Sequence, residues 1–264
     1  MTSLLADPEK NGYPENMQDR LFQDPDLVQF YDPDNGWGDD TRHCLALAEK
    51  VESVLDLGCG TGLLAAALGP GRDVWGVDPA EAMLEIARKR PGGSTVTWIQ
   101  ADGRSIRLRR RFDLILMTGH AFQCLLTDAD QSALCETIAA HLAPGGSFIF
   151  DSRNPVREEW REWVPELTRR VFDHPELGRI TAWNDVSMDA ETQIVTYETI
   201  YRSDAGSIQR ASSRIRFASR DNIAARIAEA GLEVDLWLGD WHGAPFTPLA
   251  PEIIPVGRLS KGAA

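Results

Sequence analysis

The chain is expected to be an α/β protein built on a parallel sheet, on three observations: short apolar runs ending at glycine or aspartate, helical patterns between them, and a later change to two-residue alternation. The apolar runs are Ser53 to Leu57, Asp73 to Val77, Val96 to Gln100, Phe112 to Met117 and Ser147 to Phe150. Parallel neighbours cannot be joined by tight turns, so the helices between such strands cross over the sheet and cover both its faces. A three-layer sandwich follows.

In chain order, Met1 to about Asp19 is polar and turn-rich, and a mobile tail is expected there. Apolar and aromatic anchors begin at Leu21 and continue through Phe22, Leu27, Val28, Phe30 and Tyr31. Asp39 to Lys50 reads as a helix with Cys44, Leu45 and Ala48 on one side, and it leads into the first strand. Leu63 to Leu68 is a short helix closed by Gly69 and Pro70. Pro79 to Arg90 reads as another, with proline at its first position, Glu81 in its first turn and basic residues in its last. Thr127 with Asp130 caps a third, whose Leu134, Ile138 and Leu142 recur every four residues up to Pro144-Gly145-Gly146.

After Asp151 the rhythm changes. A connection carrying Trp160 and Trp163 precedes alternating segments at Arg179 to Val186, Ile194 to Tyr201 and Ser207 to Phe217, which read as an antiparallel insert. A helix at Arg220 to Ala230, stopped by Gly231, and closing strands at Glu233 to Leu238 and Ile253 to Val256 complete the chain. The expected divisions are a tail at 1–19, a core at 20–154, an insert or substrate lid at 155–218, and the core's last helix and strands at 219–264.

At 264 residues and 43% hydrophobic, the chain is long enough for one α/β domain with an elaboration. Its net charge of -13, from 40 acidic and 27 basic residues, argues against nucleic acid as a partner. The basic run Arg104 to Arg111 contains Ile106 and Leu108 and reads as a solvated connection between strands. Cys44, Cys59, Cys124 and Cys135 are spaced for neither a zinc knuckle nor a disulfide scaffold, and no metal site is expected. The amino terminus lacks an apolar leader, and no apolar run approaches the ~20 residues that cross a bilayer. A cytoplasmic protein without membrane contacts is expected.

The first strand runs into Asp56-Leu57-Gly58-Cys59-Gly60-Thr61-Gly62. A glycine turn between strand and helix lets backbone amides approach a ligand closely. Dinucleotide sites show Gly-x-Gly-x-x-Gly, whereas Leu63 stands here where the last glycine belongs, which weakens a nicotinamide reading. Asp56 would oppose a pyrophosphate but can accept hydrogen bonds from a cationic amino group. Asp78, about 20 residues on, can take two ribose hydroxyls, and Asp102 can accept from an adenine amino group. A single strand-end aspartate is commonly a cap or turn residue, but three in succession mark the ligand edge of an open α/β sheet.

These residues resemble the class I S-adenosylmethionine-dependent methyltransferase family. The resemblance lies in Val54-Leu55-Asp56-Leu57-Gly58-Cys59-Gly60-Thr61-Gly62, in Gly76-Val77-Asp78-Pro79 with Met83-Leu84, in Ala101-Asp102-Gly103, in Phe112-Asp113-Leu114-Ile115 and in Leu142-Ala143-Pro144-Gly145-Gly146. It implies a Rossmann-like, seven-stranded, mostly parallel sheet with an antiparallel last strand, and S-adenosylmethionine as cofactor. On that basis Asp78 and Pro79 border the ribose, Ala101, Asp102 and Gly103 border adenine, Met83 packs beside the ring, and Thr118, Gly119 and His120 line the methionine end. Asp56, Gly58, Cys59, Gly60 and Gly62 form the cradle.

Methyl transfer is an in-line displacement that rests on positioning in a dry pocket, so it leaves little signature for the acceptor. Tyr31 and Trp37 are candidates to close over the methionine part, and His120 is the candidate general base. Gln123, Trp241 and His242 are the further acceptor-side candidates. The overall pattern resembles methyltransferases acting on a nitrogen or oxygen of a small molecule. A non-catalytic S-adenosylmethionine-binding regulator or assembly partner is the alternative, and the oligomeric state is left open.

Overall fold

The computed structural model describes residues 20–261, so the expected mobile tail at residues 1–19 lies outside the described residues. Three four-residue helices come first, α1 (Arg20–Gln23), α2 (Pro25–Val28) and α3 (Tyr31–Asp34), followed by α4 (Asp39–Leu47), which ends in a tight turn at Ala48–Lys50. Strand β1 (Ser53–Leu57), α5 (Leu63–Leu68), β2 (Asp73–Asp78), α6 (Glu81–Lys89), β3 (Val96–Gln100) and β4 (Phe112–Met117) alternate as expected. Then come α7 (Asp128–His141), β5 (Leu142–Phe150), the two-residue β6 (Ser152–Arg153) and α8 (Pro165–Thr168).

The main sheet has the order β3-β2-β1-β4-β5, extended by β12 (Glu252–Leu259) and β11 (Leu232–Leu238), with α9 (Arg220–Glu229) leading into β11. The first five strands are parallel, while β12 runs antiparallel to both β5 and β11. This is the seven-stranded arrangement that the resemblance implies, with β6 pairing to β12 as a short addition. Alternation along the strands divides the core in two. Leu114 and Leu116 point to the α4 and α5 face with Cys44, Leu64 and Leu68, and Ile115 and Met117 point to the α7 and α9 face with Leu134, Ile138 and Ile223.

Among the boundaries that differ from expectation, those of α6 and β5 have clear local reasons. Helix α6 starts at Glu81 rather than Pro79, because the Asp78 carboxylate accepts from the Ala80 N–H at 2.8 Å and holds Pro79 and Ala80 in a turn. Strand β5 begins at Leu142 rather than Ser147, since Leu142 already pairs with Phe112 and the Pro144-Gly145-Gly146 stretch is absorbed as a register shift.

The second sheet is antiparallel, in the order β10 (Ile208–Arg216), β9 (Ile194–Ser203), β8 (Gly178–Asp189) and β7 (Arg170–His174). Strand β7 was not anticipated. It is a short edge strand bearing Arg170 and Asp173, and charge on an edge masks the alternation that marks a strand. The sheet's inner residues Ile180, Ala182, Tyr201 and Ala211 pack against Leu21, Leu27 and Phe30, so the amino-terminal helices are its other layer. Those helices also touch α6 of the main core. They form a strap between the two sheets. No helix among the described residues is long and apolar enough to cross a membrane.

Candidate functional site

The site begins where β1 ends. Gly58, Gly60 and Gly62 all adopt left-handed backbone, with φ of 71°, 53° and 72°. Gly58 and Cys59 donate their N–H groups to the Val77 carbonyl at 2.8 and 3.1 Å, which ties the turn to β2. Two of the glycines serve different ends. A side chain at Gly60 would meet nothing within 4 Å, so this glycine leaves the turn bare on its cavity side. A side chain at Gly62 would lie 2.4 Å from the Trp98 ring and 2.8 Å from the Ala87 methyl, so this one permits packing of the turn on α6 and β3.

Asp78, at the end of β2, is buried, and its two oxygens accept from the N–H groups of Gly60 and Ala80, both at 2.8 Å. It thereby joins the glycine turn to the start of α6. Burial raises its pKa against the lowering effect of those two hydrogen bonds. Each carboxylate oxygen retains a lone pair for a further donor. Asp56 is 2% exposed, and burial, then the nearby charges of Asp78 and Asp40, push its carboxyl up to about 8. Asp102 is held by Arg104, whose guanidinium and backbone N–H both donate to it, and this lowers its pKa despite partial burial.

Three cavities adjoin at Tyr31 and Gly119, which border all of them. The first, of about 220 Å³, is lined by Gly58, Gly60, Asp78, Met83, Asp102 and Gly103. The second, of about 600 Å³, runs over the glycine turn to Asp56, Thr118, His120, Asp151 and Glu252. The third, of about 230 Å³, lies against the antiparallel sheet and carries Arg153, Trp163, Asn184, Tyr197, Thr199 and Tyr201. The Gly119 backbone is left-handed, with the Tyr31 hydroxyl about 4.0 Å from where a side chain would start.

His120 also has a positive φ, of 60°, and its N–H donates to Asp151 Oδ1 at 3.0 Å. Its Nε2 lies 3.0 Å from Glu252 Oε1 and 3.5 Å from Asp151 Oδ2. Burial works against a charged imidazole here, but the Asp151 and Glu252 carboxylates outweigh it and raise the pKa above its ordinary value. Burial pushes Asp151 itself up to about 6, against the lowering influence of His120.

The donor set suits a cation with a sugar and a base attached. Asp56 lines the second cavity, Asp78 with its spare lone pairs lines the first, and Met83, Asp102 and Gly103 line the first beside it. A sequence model of a methyltransferase domain matches residues 54–146, the span from β1 to the Pro-Gly-Gly stretch of β5. The chain carries this domain and is an S-adenosylmethionine-dependent methyltransferase with the class I fold. It is 26% identical over 205 residues to the cypemycin N-terminal methyltransferase of a Streptomyces species, covering 77% of this chain and 82% of that protein. It is 28% identical over 205 residues to the dTDP-3-amino-3,6-dideoxy-alpha-D-glucopyranose N,N-dimethyltransferase of Streptomyces fradiae, covering 74% and 75%. Its fold matches the structure of the CcbJ methyltransferase from Streptomyces caelestis with a TM-score of 0.73 at 23% identity, over 94% of this chain and 100% of that one.

Within this methyltransferase the structure gathers most of the expected cofactor residues on one edge of the sheet. Tyr31, Asp56, Gly58, Cys59, Gly60, Asp78, Pro79, Met83, Asp102, Gly103, Thr118 and Gly119 all border the first two cavities. Ala101 does not. Its N–H bonds the Asp78 carbonyl at 3.1 Å while its methyl packs on the core. Gly62 faces Trp98 and Ala87, as described above.

The acceptor-side candidates scatter. Trp37 and Trp241 border the second cavity, with Trp241 also tilted against the His43 ring. Gln123 is fully buried, and its amide bonds the Arg216 carbonyl and accepts from Arg153, so it joins β10 to β6. His242 is 75% exposed beside Asp39 and borders none of these three cavities. Residues not anticipated include Phe22 from the strap, Arg153 and Trp163, and the pair Asp151 and Glu252. Tyr197, Thr199 and Tyr201, which alternation places on one face of β9, all border the third cavity. That shared face was the one sequence signal pointing to it.

Proposed function

We propose that this methyltransferase transfers a methyl group to a nitrogen or oxygen of a small molecule that enters the third cavity, between the strap and the antiparallel sheet. One observation carries the reading: the cofactor cavities and this polar chamber share Tyr31 and Gly119, so a group bound in one abuts a group bound in the other. One relative is named for N,N-dimethylation of an amino sugar and the other for methylation at an N-terminus, which supports nitrogen as the acceptor atom. The chamber's Asn184, Thr199, Tyr197 and Tyr201 offer donors and acceptors to a polar acceptor.

When bound, S-adenosylmethionine supplies a methyl group made electrophilic by its sulfonium. In this reading Asp78 orients the ribose, Asp102 and Gly103 flank adenine, and Met83 supplies the apolar floor. Asp56, buried at the end of β1, lies toward the positive charge and stabilises it. Tyr31 and Phe22, on the strap, cover the junction, and the expected divisions at 20–154, 155–218 and 219–264 correspond to cofactor core, substrate lid and closing core. The high negative charge supports a small-molecule rather than a nucleic-acid acceptor, and the unpaired thiols of Cys44, Cys59 and Cys135 support the cytoplasm.

The experiment is calorimetric titration with S-adenosylmethionine and its demethylated product, followed by mass spectrometry of amine and alcohol panels incubated with enzyme and cofactor. Cofactor-dependent mass gain of one or two methyl groups on an amine is expected. Methylation confined to peptides longer than the chamber accommodates, or to nucleic acid, would overturn the reading.

A further inference from the structure

Three residues that methyl transfer by positioning does not require meet at the junction of the second and third cavities. His120 follows β4, Asp151 follows β5, and Glu252 opens β12. Strand β12 runs antiparallel beside β6, with Glu252 opposite Arg153, which brings Glu252 within reach of a histidine 132 residues earlier. Their ligand-type atoms all lie within 4.8 Å of one another.

The spacing alone is compatible with hydrogen bonding, but the hydrogen bonds do not account for the cluster. A single proton on His120 Nε2 serves Glu252 Oε1 at 3.0 Å, and Asp151 Oδ1 is taken by the His120 N–H. Asp151 Oδ2 and Glu252 Oε2 remain buried with no hydrogen-bond partner, although Asp151 is 1% exposed. Buried carboxylate oxygens in that condition are open to a bound cation.

Atoms bound to one ion at ~2.0–2.2 Å stand about 3.0–3.5 Å apart. The separations of Nε2 from Oε1 and Oδ2 are 3.0 and 3.5 Å. One imidazole with two carboxylates suits first-row transition ions better than magnesium or calcium, which take oxygen alone, and the two negative charges balance a dication. The bond from the His120 N–H to Asp151 Oδ1 turns Oδ2 toward the imidazole, the kind of orienting contact that metal ligands carry. His120 holds its left-handed backbone to make it.

We propose that His120, Asp151 and Glu252 form a binding site for a divalent first-row transition metal ion, with its remaining coordination positions open to the second cavity. The absence of a metal site expected from the sequence rested on ligand spacing along the chain, and these three ligands are drawn together only by the sheet. The site is independent of which acceptor the enzyme methylates.

The test uses the full-length chain stripped with a chelator and then titrated with Mn²⁺, following loss of the free-ion electron paramagnetic resonance signal, and with Zn²⁺ by calorimetry. One ion per chain at micromolar or tighter affinity is expected, with a rise in melting temperature. Glu252→Gln and His120→Asn should each weaken binding at least tenfold and abolish that rise. Asparagine tolerates the left-handed backbone at position 120, so this variant keeps the turn if the other fails to fold. Circular dichroism and the melting temperature of the metal-free chain check that each variant is folded. The proposal is overturned if the wild-type chain takes up no stoichiometric ion, or if folded variants retain its full affinity.

Discussion

At the scale of single residues, Asp78 holds the glycine turn and the start of α6 with its two oxygens, and in the proposed reading it also orients the ribose. Asp78→Ala should weaken binding of the demethylated cofactor product by about 2–4 kcal/mol, the loss of hydrogen bonds to a charged acceptor. An unchanged dissociation constant would remove Asp78 from the ribose. Asp56 makes a different prediction. With a folded pKa of about 8, it is mostly protonated at neutral pH, whereas in the unfolded chain it ionises near 4. Between these values the folded state binds the extra proton, so Asp56 costs stability increasingly as pH rises from 4 through 8. A bound cation favours the ionised form, so S-adenosylmethionine binding should release a proton below pH 8. Affinity should then rise with pH, by up to about one log unit per pH unit, and level off above 8. Calorimetry in buffers of different ionisation enthalpy reads that proton, and Asp56→Asn should abolish it; a flat profile in the wild type would contradict the placement of Asp56 beside the positive charge.

At the scale of elements, the strand, glycine turn and helix form one unit in which neighbouring glycines have separable purposes. Gly62→Ala forces a left-handed alanine into the Trp98 ring and should cost about 2–4 kcal/mol of stability, read as a lowered denaturant midpoint. Gly60→Ala meets open space and should cost only about 1–2 kcal/mol for the backbone, while weakening cofactor binding through the methyl placed on the cavity side. Equal losses of stability in the two variants would refute the distinction. Much of this unit was legible beforehand, because strand ends, turn glycines and caps are encoded within a few residues. Thr127 does cap α7, with its hydroxyl bound to the Asp130 N–H at 3.1 Å. Strand β7 and the strap helices were missed because four- and five-residue elements lack a full period of pattern and are stabilised by what they pack against.

At the scale of the molecule, the strap is the element that makes one site from two sheets. Asp34 on α3 pairs with Arg170 on β7 and accepts from Tyr201 at 3.3 Å, while Asp32 pairs with Arg90 and accepts from Thr61 at 2.6 Å. Phe30 stacks on Tyr201 at 4.5 Å between ring centres. Asp34 is 4% exposed at its side chain, but Arg170 is 36% exposed, so water screens part of the interaction. Asp34→Ala should therefore cost about 1–3 kcal/mol, less than a fully buried pair. It should also speed dissociation of the demethylated cofactor product and expose the strap to proteolysis, with the main sheet intact. Stopped-flow release and limited digestion check this, and wild-type rates in both would mean that the strap does not depend on the pair.

The α/β class, the cofactor and the residues that line the first two cavities from β1 to β4 could be read from the chain alone, because the stretch from Ser53 to Met117 places backbone turns and strand-end carboxylates by local rules. The third cavity and the His120 cluster, by contrast, exist only in the folded molecule. The antiparallel placement of β12 beside β5 brings Glu252 to His120 and Asp151. The strap and the second sheet, distant in the chain, close the chamber around Tyr31. Such meetings arise from burial and pairing between distant segments, and no spacing along the chain records them.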